Sequence, residues 1–288
     1  MANTFALKKK VARHTFLLVI LLTAGIPVLA QTAAKPQPSP AQTSDLRASV
    51  GETLVDSTLD DDPAVAKMMA VYSPKVRELD VVLGRLSGEL RKGGAGSGSL
   101  GNFVTDGMRW QATLKAGKAI TLAVMNGGGM RRSTIGEGEL RARDIFELLP
   151  FENALVTVDL TGVQLKKLLD TILTANEAQS GARIVYKTTA EKKNEAESIK
   201  LREGAGETEI DPAKIYTVVT IDYLYNVGGA RWGIFREGTH MKALGITLRE
   251  SLMNYVKSET AAGRDIKPNL DGRFSVDKAN SAPEVKPQ

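Results

Sequence analysis

Apolar positions recur along this chain in two alternating rhythms, one helical and one extended. Asp62 followed by Pro63 provides an N-cap and a proline at the first helical position, and Val65, Met68, Met69 and Tyr72 then repeat at helical spacing. Residues 79–86 predict a strand, and residues 100–114 a helix with Phe103, Val104, Gly107 and Met108 on one face. Residues 119–125 form a short apolar run that stops at three glycines, as a buried strand ending in a loop does. Residues 153–160 alternate as a strand, and Thr161 is placed to cap a helix carrying Leu165, Leu168, Leu169, Ile172 and Leu173. Residues 182–187, 198–201 and 216–224 predict further strands. Thr247-Leu248-Arg249-Glu250 spells a capping box opening a last helix that runs through Val256. Strand hairpins late in the chain, with helices scattered throughout, predict an α+β domain with a mixed β-sheet flanked by helices.

The two ends stand outside this pattern. Lys8, Lys9, Lys10 and Arg13 precede an uncharged apolar run over residues 16–30, and Val28-Leu29-Ala30 places small residues for a cut before Gln31. Residues 1–30 are therefore expected to be a secretory signal peptide. The run is shorter than the ~20 residues that span a bilayer, and a junction without Cys is not that of a lipoprotein. The expected location is secreted or periplasmic, with no membrane attachment after cleavage. Residues 31–45 read as a Pro-rich linker, 46–264 as the folded domain, and 265–288 as a polar tail.

The chain has 288 residues, 42% hydrophobic and 25% charged, which is a globular composition. The absence of cysteine excludes disulfides, thiolate zinc sites, iron–sulfur clusters and thiol nucleophiles. Of the two histidines, His14 and His240, only His240 lies beyond the signal. Lys and Arg number 38 against 33 Asp and Glu; the signal holds four of the basic residues, leaving 34 against 33. A near-neutral mature protein lacks the basic surplus of a polyanion binder, so a nucleic acid polymer is not an expected partner.

Several segments carry candidate chemistry. Gly96-Ser97-Gly98-Ser99-Leu100-Gly101 has the G-x-G-x-x-G form before a helix. The next strand ends at Asn126 instead of the acidic residue that dinucleotide binding requires, so a Gly/Ser linker is expected. No Lys-Ser/Thr follows these glycines, which excludes a P-loop. Asn126-Gly127-Gly128-Gly129-Met130-Arg131-Arg132 sets three glycines, which lose much entropy on ordering, before two arginines. Arginine forks suit phosphate or carboxylate, and a tight turn with solvated arginines fits the same residues. Phe151, in Pro150-Phe151-Glu152-Asn153, is either a core side chain or a loop ring that stacks on a ligand. Asn226-Val227-Gly228-Gly229-Ala230-Arg231-Trp232 repeats the theme of a strand running into glycines and then an aromatic. Asp222, Asp144 and Glu147 are acids available for proton transfer, but no nucleophile pairs with them.

Taken in order, N-G-G-G-x-R, P-F-x-N, a strand with a capped helix, the stretch Ile210-Asp211-Pro212-Ala213-Lys214-Ile215-Tyr216-Thr217-Val218-Val219-Thr220, and G-G-x-x-aromatic resemble the C-terminal, substrate-binding domain of secreted 5'-nucleotidases. That family includes UDP-sugar hydrolases and 2',3'-cyclic-nucleotide phosphodiesterases, and the resemblance spans residues 62–256. It implies that a nucleoside base lies between two aromatic rings, with Phe151 at the first ring position and Trp232 at the second. Stacking on an aromatic contributes ~1–3 kcal/mol per base. By the same resemblance Asn153 hydrogen-bonds the base, and Asn126, Gly128 and Arg131 belong to a loop that binds base edge or phosphate. Asn102 and Glu237 match less closely placed family positions.

Three departures stand out. Gly228-Gly229-Ala230-Arg231-Trp232 replaces G-G-D-G-aromatic, the segment before Leu100-Gly101-Asn102 is Gly/Ser-rich where relatives place phosphate-binding arginines, and no metallophosphatase motif is present. Full-length relatives carry an N-terminal domain in which Asp, His and Asn hold two metals, and a chain left with His240 alone has too few ligands for that site. The resemblance thus implies no catalytic residue and no cofactor in this chain, with two divalent metals expected only in a partner phosphatase. The expected function is the nucleotide- or nucleoside-binding half of a split nucleotidase; the alternatives are a stand-alone nucleotide sensor and a degenerate structural module.

Overall fold

The computed structural model describes residues 51–277 apart from Thr53, Ser57 and Ala205. The expected signal peptide, the linker over 31–45 and residues 278–288 lie outside the described residues. The chain divides into Met1–Leu59 and Asp60–Gln288. In the first unit, Asp56 accepts hydrogen bonds from the backbone and hydroxyl of Thr58 at 2.9 and 2.6 Å. Every helix and strand described below belongs to the second.

That unit begins with α1 (Pro63–Ala70), α2 (Ser73–Glu78), β1 (Val82–Leu86), β2 (Leu90–Arg91), α3 (Gly98–Ala116) and β3 (Leu122–Met125). It continues with β4 (Thr134–Ile135), β5 (Gly138–Arg141), α4 (Ala142–Leu148), β6 (Ala154–Thr161), α5 (Gly162–Thr174), β7 (Ala178–Ser180) and β8 (Ala182–Thr188). The last elements are β9 (Asn194–Glu203), β10 (Gly206–Thr208), β11 (Ile215–Ile221), α6 (Asp222–Asn226), α7 (Ile234–Glu237), β12 (Thr239–Thr247), α8 (Leu248–Ala261) and β13 (Phe274–Val276).

The strands form a five-stranded sheet in the order β12-β6-β11-β3-β7, a four-stranded sheet β10-β9-β8-β13, and the pairs β1-β5 and β2-β4. In the larger sheet β11 runs parallel to β3 and antiparallel to β6, so the fold is α+β with mixed sheets flanked by helices. Helix α3 lies against β3, β7 and α8, while α5 lies against β6, β9 and β11. Leu100, Val104 and Met108 of α3, Leu165, Leu168 and Ile172 of α5, and Leu252 and Val256 of α8 are fully buried in one apolar core. Removing such side chains from water contributes ~1.5–3 kcal/mol each.

Local signals set the helix starts. Thr161 Oγ1 accepts from the N–H of Gln164 at 3.3 Å, and Gln164 Oε1 accepts in return from the Thr161 N–H at 2.9 Å. Thr247 and Glu250 make the same reciprocal pair at 3.1 and 3.0 Å. Asp62 caps α1 through the N–H groups of Ala64 and Val65, at 2.8 and 3.0 Å. Yet Val65, Met68, Met69 and Tyr72 all remain exposed, because a cap and a proline start a helix without needing a tertiary partner for its apolar face.

Three expectations change. Residues 79–86 contain a strand only over Val82–Leu86, since Pro74 opens α2 immediately before it. The run 216–224 is a strand only to Ile221, and Asp222 then begins α6. The polar stretch after Asp265 folds as part of the domain as far as Val276. Ile266 is buried and its N–H bonds Arg85 O at 2.9 Å, while β13 pairs in parallel with β8. Arg273, only 4% exposed, donates to both carboxylate oxygens of Asp106 at 2.9 Å, to Asp271 at 2.9 Å and to Gln179 O at 3.0 Å. Burial alone would raise the Asp271 carboxyl, but the hydrogen bonds and charges of Arg273 and Arg202 outweigh it and hold it well below the usual carboxylate range. A charge can be buried when it is paired and hydrogen-bonded, which composition does not reveal.

Candidate functional site

Strand pairing assembles the site. β3 and β11 run in the same direction, with Val218 opposite Leu122, so both end on the same side of the sheet. β6 runs the other way beside β11, with Ile221 opposite Leu155, so the chain entering β6 meets the two strand ends. There the molecule has a cleft of about 480 Å³. The loop after β3 contributes Asn126, Gly128, Gly129 and Arg131; the approach to β6 contributes Phe151 and Asn153; the end of β11 contributes Ile221 and Tyr223.

The glycine loop is a single 3-10 turn over Gly127–Gly129, closed by the N–H of Gly129 on Asn126 O at 3.1 Å. Its glycines answer to packing: a Cβ on Gly129 would run into the Met125 side chain, and one on Gly127 into Ser97 Oγ. Gly128 is exposed and gives the cleft an uncluttered backbone wall. Two charged side chains brace the turn. Glu177 accepts from the Gly127 N–H, and Lys92 Nζ donates to Gly127 O at 2.6 Å and Met130 O at 3.2 Å. Glu177 is buried and also faces Arg231 at 3.5 Å, so the carboxylate that the interior would otherwise penalise is bonded on both oxygens. Asn126 Oδ1 is a buried acceptor with no donor among the described residues.

The two arginines after the glycines differ. Arg132 is engaged by Asp144 at 2.9 Å and Glu147 at 3.1 Å, which also accounts for those two acids. Arg131 has no carboxylate partner among the described residues. Its guanidinium carbon lies 5.1 Å from the centre of the Phe151 ring, a cation–π contact of ~0.5–1 kcal/mol at an exposed site. Its backbone N–H holds Leu148 O at 2.8 Å, which ties the loop to the end of α4.

Phe151 keeps 43% of its surface exposed. The turn presenting it is fixed by Arg249, whose guanidinium donates to Leu149 O at 3.0 Å and Pro150 O at 2.8 Å and packs 4.2 Å from the Phe146 ring centre. Asn153 is half-buried, and its carbonyl accepts from the Leu248 N–H at 2.8 Å. Sequence reasoning passed over Arg249, because it stands inside a capping box where a surface charge is unremarkable. Tyr223 was also missed, since the strand was expected to run on through Leu224. An aspartate directly after a β-branched run was the available sign of a helix start there.

Trp232 does not line the cleft. It is 4% exposed and stacks on Phe235, with ring centroids 5.8 Å apart and planes 13° from parallel. Gly228 makes room for it, since a Cβ there would meet Trp232 Cδ1 at 2.7 Å. The expectation of a second ring at this position is therefore corrected: the space left by Gly228 and the face of Phe235 take up the indole, and Trp232 is part of the core. Asn102 is buried with its amide on Asn269 O at 2.7 Å, a packing role. Glu237 faces Lys167 at 3.9 Å and is outside the cleft. Asp222 bonds the Tyr223 N–H at 2.8 Å.

Known proteins share this domain. The family described as 5'-nucleotidase, C-terminal domain, matches residues 76–237, more than half of the chain. Among curated relatives, the trifunctional nucleotide phosphoesterase protein YfkN of Bacillus subtilis is 31% identical over 184 residues, covering 61% of this chain and 12% of that protein. The cell wall protein Lmo0130 of Listeria monocytogenes is 28% identical over 185 residues, covering 60% of this chain and 23% of that one. Among solved structures, a 5'-nucleotidase precursor from Thermus thermophilus superposes with a TM-score of 0.61 at 26% identity, covering 74% of this chain and 43% of that chain. The matched region is thus a minor part of each relative's length. The chain belongs to the 5'-nucleotidase C-terminal domain family.

Proposed function

We propose that this chain binds a nucleotide or nucleoside in the cleft and presents it to a metallophosphatase on a separate polypeptide, as the substrate-binding half of a split nucleotidase in nucleotide catabolism. The observation that carries this reading is Phe151, a large apolar ring left 43% exposed beside Arg131 and the amides of Asn126 and Asn153 in one cleft. Ring stacking contributes ~1–3 kcal/mol and is indifferent to the base. The amides supply donors and acceptors for a base edge, and the Arg131 guanidinium, without a carboxylate partner among the described residues, supplies charge for phosphate.

Among the described residues that line the cleft, the side chains are amide, guanidinium, aromatic and aliphatic, with no carboxylate or imidazole. That donor set does not fit a divalent metal, and the two metals of the family's chemistry are assigned to the partner. The role proposed for this chain is to hold and orient the nucleotide, which can remove several kcal/mol from a barrier at ~7–11 kcal/mol for ideal positioning. Action outside the cytoplasm is supported by the signal-like residues 1–30 and by the relative named as a cell wall protein. No helix among the described residues is long and apolar enough to cross a membrane.

The test is calorimetric titration of the purified chain with AMP and adenosine, followed by AMP hydrolysis with Mn²⁺ in the presence and absence of a secreted metallophosphatase from the same organism. Binding that Phe151→Ala weakens, with turnover only in the mixture, is the expected result. Turnover by the chain alone would overturn the division of labour. A purely structural module is the second reading, favoured by the burial of Trp232; under it neither AMP nor adenosine binds.

A further inference from the structure

We infer that the apolar face of α1 and α2 is the docking surface for a second copy of this chain, laid antiparallel so that the acidic start of one helical run meets the basic end of the other. The inference is independent of the nucleotide-binding reading. The two helices make one nearly continuous amphipathic run. Val71 and Tyr72, which join them, keep right-handed helical backbone, and Tyr72 O accepts from the Val76 N–H at 3.1 Å. At 1.5 Å per residue, the run from Pro63 to Glu78 is roughly 24 Å long. Val65, Met68, Met69, Tyr72 and Val76 recur at helical spacing, so they share one face. These side chains are 48–64% exposed, and neither helix buries a residue in the domain.

Exposed apolar side chains scattered singly need no explanation, whereas a contiguous stripe marks an interaction surface. A helical run this short is marginal in water by itself and draws its stability from packing such a face. The charges bordering the stripe say what covers it. Asp60, Asp61 and Asp62 lead into the run. Lys75 and Arg77 flank the stripe at its other end, while Lys67 and Glu78 fall on the opposite face at ~100° per residue. Asp60, Asp61, Lys75 and Arg77 form no ion pair among the described residues. Ala64 and Ala66 border the stripe and leave room for another helix to approach. With a two-fold axis at Met69, the three aspartates of each copy come level with Lys75 and Arg77 of the other. A parallel pair would instead set like charges side by side at both ends, which is unfavourable. The run thus carries both halves of its own complement, as an isologous two-fold interface requires.

Sedimentation equilibrium of the purified chain over a concentration series tests this. One helix face per copy is at the small end of interface sizes, so a reversible dimer in the micromolar range is expected. Met69→Glu brings two like charges together at the axis and should weaken association about 100-fold. Asp60→Lys with Asp61→Lys, and separately Lys75→Glu with Arg77→Glu, should each weaken self-association about 3- to 10-fold, more at low salt. Mixed in equal amounts, these two variants should pair with each other to within about threefold of the wild-type affinity, because the exchanged charges match again. The substituted side chains are all exposed, so every variant should keep the wild-type thermal midpoint. A wild-type chain that stays monomeric overturns the inference, as does a dimer that Met69→Glu leaves intact. No recovery in the mixture overturns the antiparallel arrangement. A monomer that binds a secreted metallophosphatase, and loses it in Met69→Glu, overturns self-pairing and gives this face to the phosphatase.

Discussion

Two aromatic pairs in this molecule occupy opposite settings. Trp232 and Phe235 lie ring on ring inside the core, 4% and 0% exposed, while Phe151 and Tyr223 stand about half in solvent on either part of a cleft. The difference does not come from the rings themselves. Trp232 follows a glycine pair and an arginine; Gly228 leaves space for the indole, and Arg231 is held outside by Glu177. Phe151 follows a proline whose carbonyl is pinned by Arg249, and the turn holds the ring away from the interior. Neighbouring charges and missing Cβ atoms thus decide which aromatic becomes packing and which remains available to a ligand.

The largest expected effect is on the packed pair. Trp232→Ala removes a fully packed indole and should lower unfolding stability by ~3–5 kcal/mol, read from denaturant midpoints at unchanged slope. A loss below ~1 kcal/mol would place Trp232 on the surface and dissolve the contrast. Next comes Glu177, which links the two regions. Glu177→Ala leaves the Gly127 N–H and the buried side of Arg231 without an acceptor, for an expected loss of ~1–3 kcal/mol. Glu177→Gln should recover part of it, since an amide oxygen still accepts from Gly127; if Ala and Gln behave alike, the brace on the glycine loop is unimportant.

Phe151→Ala sharpens the comparison from the other side. Its ring is half-exposed and in contact with Arg131, so thermal unfolding should register a loss of about 1 kcal/mol or less. A loss resembling that of Trp232→Ala would reclassify Phe151 as core. Smallest of all is Arg231→Ala. The side chain is 58% exposed and its partner is 3.5 Å away, so the ion pair should contribute about 0–1 kcal/mol and less at high salt. A larger loss would show that Arg231, and not Gly228, is what keeps Trp232 inside.

Much of the site was readable in the chain because its signals are short-range. The N-G-G-G-x-R and P-F-x-N segments each sit within a few residues, and both reach the cleft. The second ring was misplaced because glycines followed by an aromatic read the same along the chain whether the ring meets a ligand or, as here, packs on Phe235 in the space above Gly228. The stretch after Asp265 was taken for a tail because its polar residues find their partners far away: Arg273 is held by Asp106, 167 residues earlier. Tyr223 went unnoticed because the turn from β11 into α6 hangs on a single aspartate.

Helix starts at Asp62, Thr161 and Thr247, the runs that become the central strands, and the family of the domain all follow from local sequence. Caps and alternation act between residues one to four apart, so they can be read along the chain. Folding sets which aromatics face water, that Arg132 and not Arg131 meets a carboxylate among the described residues, and how far the domain extends past Asp265. Burial and charge pairing are set by neighbours distant in sequence, and these come together only when the chain has folded.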